Sequence, residues 1–496
     1  MPTDILVLLP VLVPPTAAAV AVLLRSHRRV QAAWAFGAML TSFVCSSLLL
    51  WTVWSNGRPI VYQLGNWPAP FGISLVGDLL SATMAVMCQL VLAGGFLYAL
   101  GCRDQCVQYP AFYPLFLMLA TGLTGAMLTG DLFNLFVFAE LLVFSGAALT
   151  AVSDDKFGTE AAYKYFYISF VASIALLLAS GSLYVSYGTL NLADLAQRIA
   201  ADPSPPLVLP AMVLLIIFFM VKGAVMPFHF WQPDFHTAAP TPVHAVLSSV
   251  VVKLGIYGFL RMTTLLFVEQ AESIRAVLVV VGAVGVWFGG LGAVGTYDAK
   301  RMLAYSTLGQ LGFILVAIGW GTPLALAAAI VYAFNHSLLK AAMLMLAGSV
   351  ASRAPVKTAA FAAITGLGKK LPLAGVLFLL GGMGLAGIPP LNGFVGKLML
   401  FSSGVEAQAY LPLAAIGLAG IVTLVYVFRA FQHIWWAPLP EEVKPKPYGD
   451  RLIAPALLIA LSLALGIWAE PLVNLAQATV AWMMTPESYL RAVLGG

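Results

Sequence analysis

Four lysines, Lys222, Lys253, Lys340 and Lys397, interrupt otherwise apolar stretches of this sequence. A charge in the middle of an apolar layer costs at least about 2.5–3.5 kcal/mol, so such residues face a protein interior or a wet cavity and mark ion or proton pathways. Burial lowers the pKa of a lysine toward the physiological range, and a lysine, unlike an arginine, can then release its proton. The carboxylate deep inside an apolar run is Glu140, and Lys222 is its natural partner. Lys253 follows Ser248 and Ser249 and precedes Tyr257 by one turn, which makes one face of its helix polar. His336 and Lys340, four apart, share a helix face. Glu140, Lys222, Lys253, His336, Lys340 and Lys397 thus form a line along which a proton can step. Two unit charges roughly 10 Å apart at an effective dielectric of about 20 couple by about 1.7 kcal/mol, enough to shift a neighbour's proton affinity more than tenfold. Making or breaking a Glu140–Lys222 pair then loads or unloads the lysines further along. The other role open to these lysines is to hold carbonyls at helix C-termini.

Three histidines, His229, His236 and His244, cluster in a proline-rich segment with Asp234. Histidine titrates near neutral pH, so the cluster reads either as a proton entrance or as interface residues around a turn. Metal binding is the weaker reading, because nothing in the segment fixes a coordination geometry. Cys102 and Cys106 read as idle thiols, and with Cys45 and Cys88 they imply neither a metal site nor a disulfide framework. Two Gly-x-Gly-x-x-Gly strings, Gly290 to Gly295 and Gly382 to Gly387, lie inside apolar helical runs rather than between a strand and a helix. They read as helix-packing positions. No flavin, nicotinamide, haem or iron–sulfur motif is visible, so no cofactor is expected.

The elements that must carry these groups follow from composition. Of 496 residues 61% are hydrophobic and only 9% charged, against about a quarter charged in soluble domains. The chain reads as an all-α polytopic membrane protein. The net charge of +5 does not point to nucleic acid, because the basic residues fall in short connectors rather than on one face. Asp4 replaces the basic start of a secretory signal, so the first apolar run reads as a span. Fourteen spans are expected, near 4–24, 30–54, 73–100, 110–129, 131–152, 163–187, 206–226, 240–262, 274–296, 301–320, 323–350, 371–401, 409–434 and 452–475. Threaded alternately, fifteen connector cations, among them Arg28, Arg103, Lys164, Arg301, Lys357 and Arg451, fall on one side. Five, Arg58, Arg198, Arg261, Arg275 and Arg491, fall on the other. The positive-inside rule then places the first set in the cytoplasm and both termini outside, in a cell inner (plasma) membrane. Besides the four lysines, Arg429 remains inside a run, beside Gln432 and His433, and reads as snorkelling to the interface. Asp78 and Asp131 sit near helix starts, where a carboxylate satisfies free N–H groups.

Lys222 shortly precedes Pro227, and Lys397 shortly follows Pro389-Pro390. Proline removes a backbone donor, and in a bilayer such an interruption survives where it is buried or lines a cavity. Interrupted spans 7 and 12, five helices apart, each with a lysine, predict two inverted five-helix repeats. The expected organisation is an N-terminal three-helix segment (1–109), repeats at 110–262 and 263–434, and a C-terminal helix and tail (435–496).

Four segments carry a family resemblance: the run from Gly130 through Asp131 to Glu140, the segment from Lys222 through Pro227 to Asp234, the string from Asn335 to Lys340, and the segment from Gly387 to Lys397. They resemble the proton-conducting, antiporter-like subunits of respiratory complex I and of the Mrp cation/proton antiporters. Within that family the first run and the overall length look most like the D-type Mrp subunits, since the A-type carries an extra C-terminal helical region. The histidine-rich segment 229–244 looks closer to the complex I and membrane-hydrogenase relatives. The resemblance implies fourteen helices, broken helices 7 and 12, and partner subunits in a membrane complex. It also implies roles: Glu140 and Lys222 as a coupling pair, Lys253 as central carrier, His336 and Lys340 as a bridge, and Lys397 as the terminal lysine. The expected function is proton translocation within a sodium/proton antiporter. The alternative is the proton-pumping part of a redox-driven complex. On either reading the chain is a transporter subunit rather than an enzyme, handling protons and a monovalent cation within a lipid bilayer.

Overall fold

A computed structural model describes residues 3–152, 155–356, 358–441 and 443–495. Lys357, one of the connector cations, lies outside the described residues. The chain is built from helices α1 (Ile5–Leu23), α2 (Arg28–Asn56), α3 (Leu79–Gly101), α4 (Phe112–Leu128), α5 (Leu132–Ala151), α6 (Lys156–Tyr187), α7 (Leu192–Ala201), α8 (Val208–Lys222) and α9 (Trp231–Ala238). Then come α10 (Thr241–Leu266), α11 (Ala271–Gly295), α12 (Ala299–Trp320) and α13 (Pro323–Ala351). The last group is α14 (Pro372–Ala386), α15 (Asn392–Glu406), α16 (Tyr410–Trp436), α17 (Ile453–Ile467), α18 (Glu470–Met483) and α19 (Glu487–Leu494). Among the described residues each of the fourteen apolar runs holds a helix. Ten helices are long and apolar enough to cross a membrane, or up to twelve when each of two bent pairs counts as one span. Two more, α4 and α8, are apolar but only 17 and 15 residues long.

Helix starts follow the caps expected from short acidic and polar side chains. Asp131 Oδ1 accepts from the Asn134 N–H at 2.8 Å at the start of α5, and Asp298 Oδ1 accepts from Arg301 N–H at 2.9 Å at the start of α12. Asp78 caps α3 through a reciprocal pair with Ser81. The expected structural roles of Asp78 and Asp131 are therefore present.

Four differences from the sequence expectation stand out. Residues 60–77, partly assigned to the third span, instead form an antiparallel hairpin of β1 (Ile60–Gln63) and β2 (Ser74–Gly77), so α3 begins only at Leu79. The fourteenth run bends by 79° between α17 and α18, and the expected tail continues as helix through α19. The connector after α6 holds the short helix α7, amphipathic and too polar to register as a span. Arg261, assigned to a connector, lies inside α10 and is buried.

The helices differ sharply in enclosure. The apolar cores of α10 and α13 are wholly buried, whereas α2 and α16 show most of their surface. Helices α11 and α12 pack through glycines: a Cβ on Gly289 would lie 2.2 Å from Gly309 N, and one on Gly282 would lie 2.8 Å from Gly312 O. Small residues let two backbones approach this closely inside a membrane. Gly290 and Gly292 of the first Gly-x-Gly-x-x-Gly string lie in the same helix against Val422 and Tyr305, in keeping with a packing role.

Candidate functional site

The two proline-interrupted spans are broken, and a lysine lies at each break. Helix α8 ends at Lys222, and the chain resumes as α9 at Trp231. Helix α14 ends at Ala386, α15 starts at Asn392, and Lys397 Nζ reaches back to donate to Ala386 O at 2.8 Å. The carbonyl end of a helix carries partial negative charge, so the Lys397 ammonium sits where the backbone favours a cation. The carbonyl-pairing role is thus made by Lys397.

Lys222 Nζ is buried about 5.5 Å from the centre of the Phe218 ring. Neither it nor Glu140 Oε1 has a hydrogen-bond partner among the described residues, so the expected Glu140–Lys222 contact is not made in this structure. The broken helix instead packs on α10 at Gly255, where a Cβ would meet Phe219 O at 2.5 Å and Gly223 Cα at 2.8 Å.

Lys253 and His336 meet directly. The Lys253 ammonium is hydrogen-bonded to His336 Nδ1 and donates to Ser249 O at 2.7 Å. Ser249 lies in a π-helical stretch, Leu247–Val251. There the regular i→i−4 ladder gives way, and π-bulges of this kind recur at functional positions. Its carbonyl also accepts from Ser337 Oγ at 3.1 Å. Lys340, one turn after His336, turns to α12, donating to Ser306 Oγ at 2.6 Å and Leu303 O at 3.2 Å. Lys253, His336 and Lys340 are all fully buried.

The entrance cluster is only partly assembled. The His236 and His244 rings stack with centroids 5.0 Å apart, and none of their four ring nitrogens has a partner among the described residues. His229 stands apart, edge-on to Phe288 at 4.4 Å. Asp234 faces outward and is held by Arg301 at 3.1 Å and Lys164 at 3.4 Å. Among the described residues no group of three His, Cys, Asp or Glu side chains could hold a metal ion. Arg429 donates to Val294 O at the end of α11 and lies over the Tyr297 ring at 4.7 Å.

Sequence reading missed two features. Polar side chains of α12 and α16 continue the line past Lys340: Ser306 Oγ and Tyr426 OH are 2.6 Å apart, and Gln310 Nε2 donates to Thr423 Oγ1 at 3.4 Å. The signal was present as polar residues one turn apart in apolar runs, Ser306 with Gln310 and Thr423 with Tyr426. The second is a further cation buried inside a helix, Arg261, which pairs with Asp78 through two hydrogen bonds of 2.7 Å.

Residues 129–423 match the transmembrane family described as NADH:quinone oxidoreductase/Mrp antiporter. The chain belongs to this family. It is 32% identical over 492 residues to the D subunit of the Na(+)/H(+) antiporter of Alkalihalophilus pseudofirmus, covering 99% of each chain. It is 33% identical over 454 residues to the N subunit of the NADH-quinone oxidoreductase of Desulforudis audaxviator, covering 86% of this chain and 89% of the relative. A chain of the Mrp complex from Dietzia sp. superposes with a TM-score of 0.91 at 27% identity, with complete coverage of both. The family is thus one of multi-pass membrane proteins, and the broken, lysine-bearing spans fall within or beside the matched region.

Proposed function

We propose that this chain is the proton-translocating subunit of a multisubunit monovalent cation (Na+)/H+ antiporter. The observation that carries the reading is the direct Lys253–His336 contact on two wholly enclosed helices, followed one turn later by Lys340 bonded to Ser306. Histidine and lysine can each take up and release a proton, and burial makes charging one unfavourable to its neighbour. Protons therefore move along the line one at a time. Full-length similarity to the D-type protein of a sodium/proton antiporter supports the choice of cation.

In this reading Glu140 and Lys222 form the coupling pair at the first break, Lys397 is the terminal lysine at the second, and the His236–His244 pair with His229 and Asp234 marks the entrance. The two breaks belong to two inverted five-helix repeats, 110–262 and 263–434. The basic-rich face, with Lys164 and Arg301, lies in the cytoplasm of a plasma-membrane protein whose termini are outside. The partners are the other subunits of the antiporter. The second reading is the proton-pumping subunit of a redox-driven complex, favoured by the NADH-quinone oxidoreductase relative.

Inverted vesicles from an antiporter-deficient host expressing the whole operon test the two. Sodium collapsing a pH gradient, with loss of that effect in assembled Glu140→Ala, Lys222→Ala and Lys397→Ala complexes, supports the antiporter. Acidification driven by NADH or hydrogen, with no response to sodium, supports the redox pump. Unchanged flux in all three variants overturns the relay.

A further inference from the structure

Between Lys340 and Lys397 the structure places hydroxyl and amide groups around a small cavity. Lys340 Nζ donates to Ser306 Oγ at 2.6 Å, and Ser306 Oγ lies 2.6 Å from Tyr426 OH. Ser306, Gln310, Thr423 and Tyr426 line a cavity of about 10 Å³, whose apolar wall includes Phe313. That volume suits one water, and a buried water needs two to four polar partners, which these four side chains supply. Gln310 is oriented from both ends: Nε2 donates to Thr423 Oγ1 at 3.4 Å, and Oε1 accepts from Tyr332 OH. Lys397 Nζ lies 4.9 Å from the centre of the Phe313 ring. The same ring therefore borders the cavity and the terminal lysine.

We infer that Ser306, Tyr426 and one cavity water relay the proton from Lys340 toward Lys397, with the Phe313 ring as the last barrier. The inference rests on the proton-translocating reading above and assigns its second half. The Lys340 ammonium gives a proton to Ser306 Oγ as Ser306 gives its own to Tyr426. Tyr426 releases its own proton to the water, and the water passes one to the Lys397 amine. Lys340 ends neutral and Lys397 charged. Each hydroxyl gains one proton and loses one, so no alkoxide is stranded at low dielectric. The hydroxyls must then turn back before the next transfer. Phe313 must move for the last step, because its ring separates the water from Lys397.

Tyr426→Phe, Ser306→Ala and Ser306→Thr in the complete complex test this, with cation-driven proton flux read in vesicles and assembly checked on native gels. The expected result is a loss of about tenfold or more in Tyr426→Phe and in Ser306→Ala. Ser306→Thr, which restores a hydroxyl, recovers most of the flux lost in Ser306→Ala, a recovery that a packing role would not produce. Should Ser306→Ala fail to assemble, Tyr426→Phe decides, since it keeps the ring. Wild-type flux in assembled Tyr426→Phe overturns the relay while leaving the antiporter reading intact. Absence of both cation-driven and redox-driven proton movement in the wild-type complex overturns both.

Discussion

Asp78 and Arg261, far apart in the chain, form a buried bidentate ion pair that ties the start of α3 to the end of α10. Both carboxylate oxygens accept from the guanidinium at 2.7 Å, and Arg261 Nε also donates to Tyr257 OH at 3.1 Å. The Arg261 guanidinium also lies over the Tyr489 ring of α19 at 5.2 Å, so the pair anchors the C-terminal helix too.

Removing one partner of such a pair leaves an uncompensated buried charge and costs about 3–5 kcal/mol. Arg261→Met is therefore expected to lower the thermal midpoint of the purified complex strongly. Asp78→Asn combined with Arg261→Met is expected to regain much of that loss. A double variant no better than the single one would show that the ion pair is not the source of the effect.

Lys253 and His336 are in direct contact, so substitutions there are expected to be non-additive. Lys253→Met is expected to reduce proton flux by about 100-fold or more, the scale of a lost proton-transfer group. Lys253→Arg should not rescue it, because arginine keeps its proton. Adding His336→Ala to Lys253→Met should lower flux little further. Flux ratios in vesicles from the four strains, at equal assembled complex, check this.

At Gly255 the obstacle is backbone rather than a flexible side chain. A Cβ there would meet Phe219 O at 2.5 Å and Gly223 Cα at 2.8 Å, so the broken end of α8 must move away from α10. Overpacking of this kind costs about 1–3 kcal/mol. Gly255→Ala is expected to reduce both the thermal midpoint and transport, whereas Gly181→Ala, with open space at the Cβ position, should change neither.

Asp450 precedes α17 and fastens three connectors. Its carboxylate accepts from Tyr98 OH at 2.6 Å and Arg103 N–H at 2.7 Å, and its own N–H donates to Ser352 Oγ at 2.9 Å. Burial holds its carboxyl above the ordinary range. The folded protein then binds this proton more tightly than the unfolded chain, so stability is lost as pH rises from the unfolded pKa through the folded one. Asp450→Asn removes that loss. Its thermal midpoint relative to wild type is expected to rise between acidic and neutral pH, whereas Asp450→Ala, which strands the buried donors, should cost about 1–3 kcal/mol at acidic pH, where the wild-type carboxyl is protonated. A pH-independent difference for Asp450→Asn would rule out the titration.

The sequence by itself determined the membrane class, the helical positions of the apolar runs and the identities of the buried lysines. These follow from local quantities: mean polarity along about twenty residues, proline interruptions, and charges isolated in apolar surroundings. The capping roles of Asp78 and Asp131 were equally legible, because a cap is satisfied within three residues of its own position. The β1–β2 hairpin was hidden, since its apolar second strand runs straight into α3 and shares its hydropathy. Arg261 was misplaced because its partner Asp78 is remote in the chain, and no local pattern shows that a cation near a helix end turns inward. Tertiary structure alone decided which groups meet. It joined Lys253 to His336 across two helices, left Glu140 and Lys222 apart, and placed Lys340 on Ser306, which in turn meets Tyr426. The physical reason is that periodicity fixes the face a side chain occupies on its own helix, while packing angles and helix breaks set which face of another helix stands opposite.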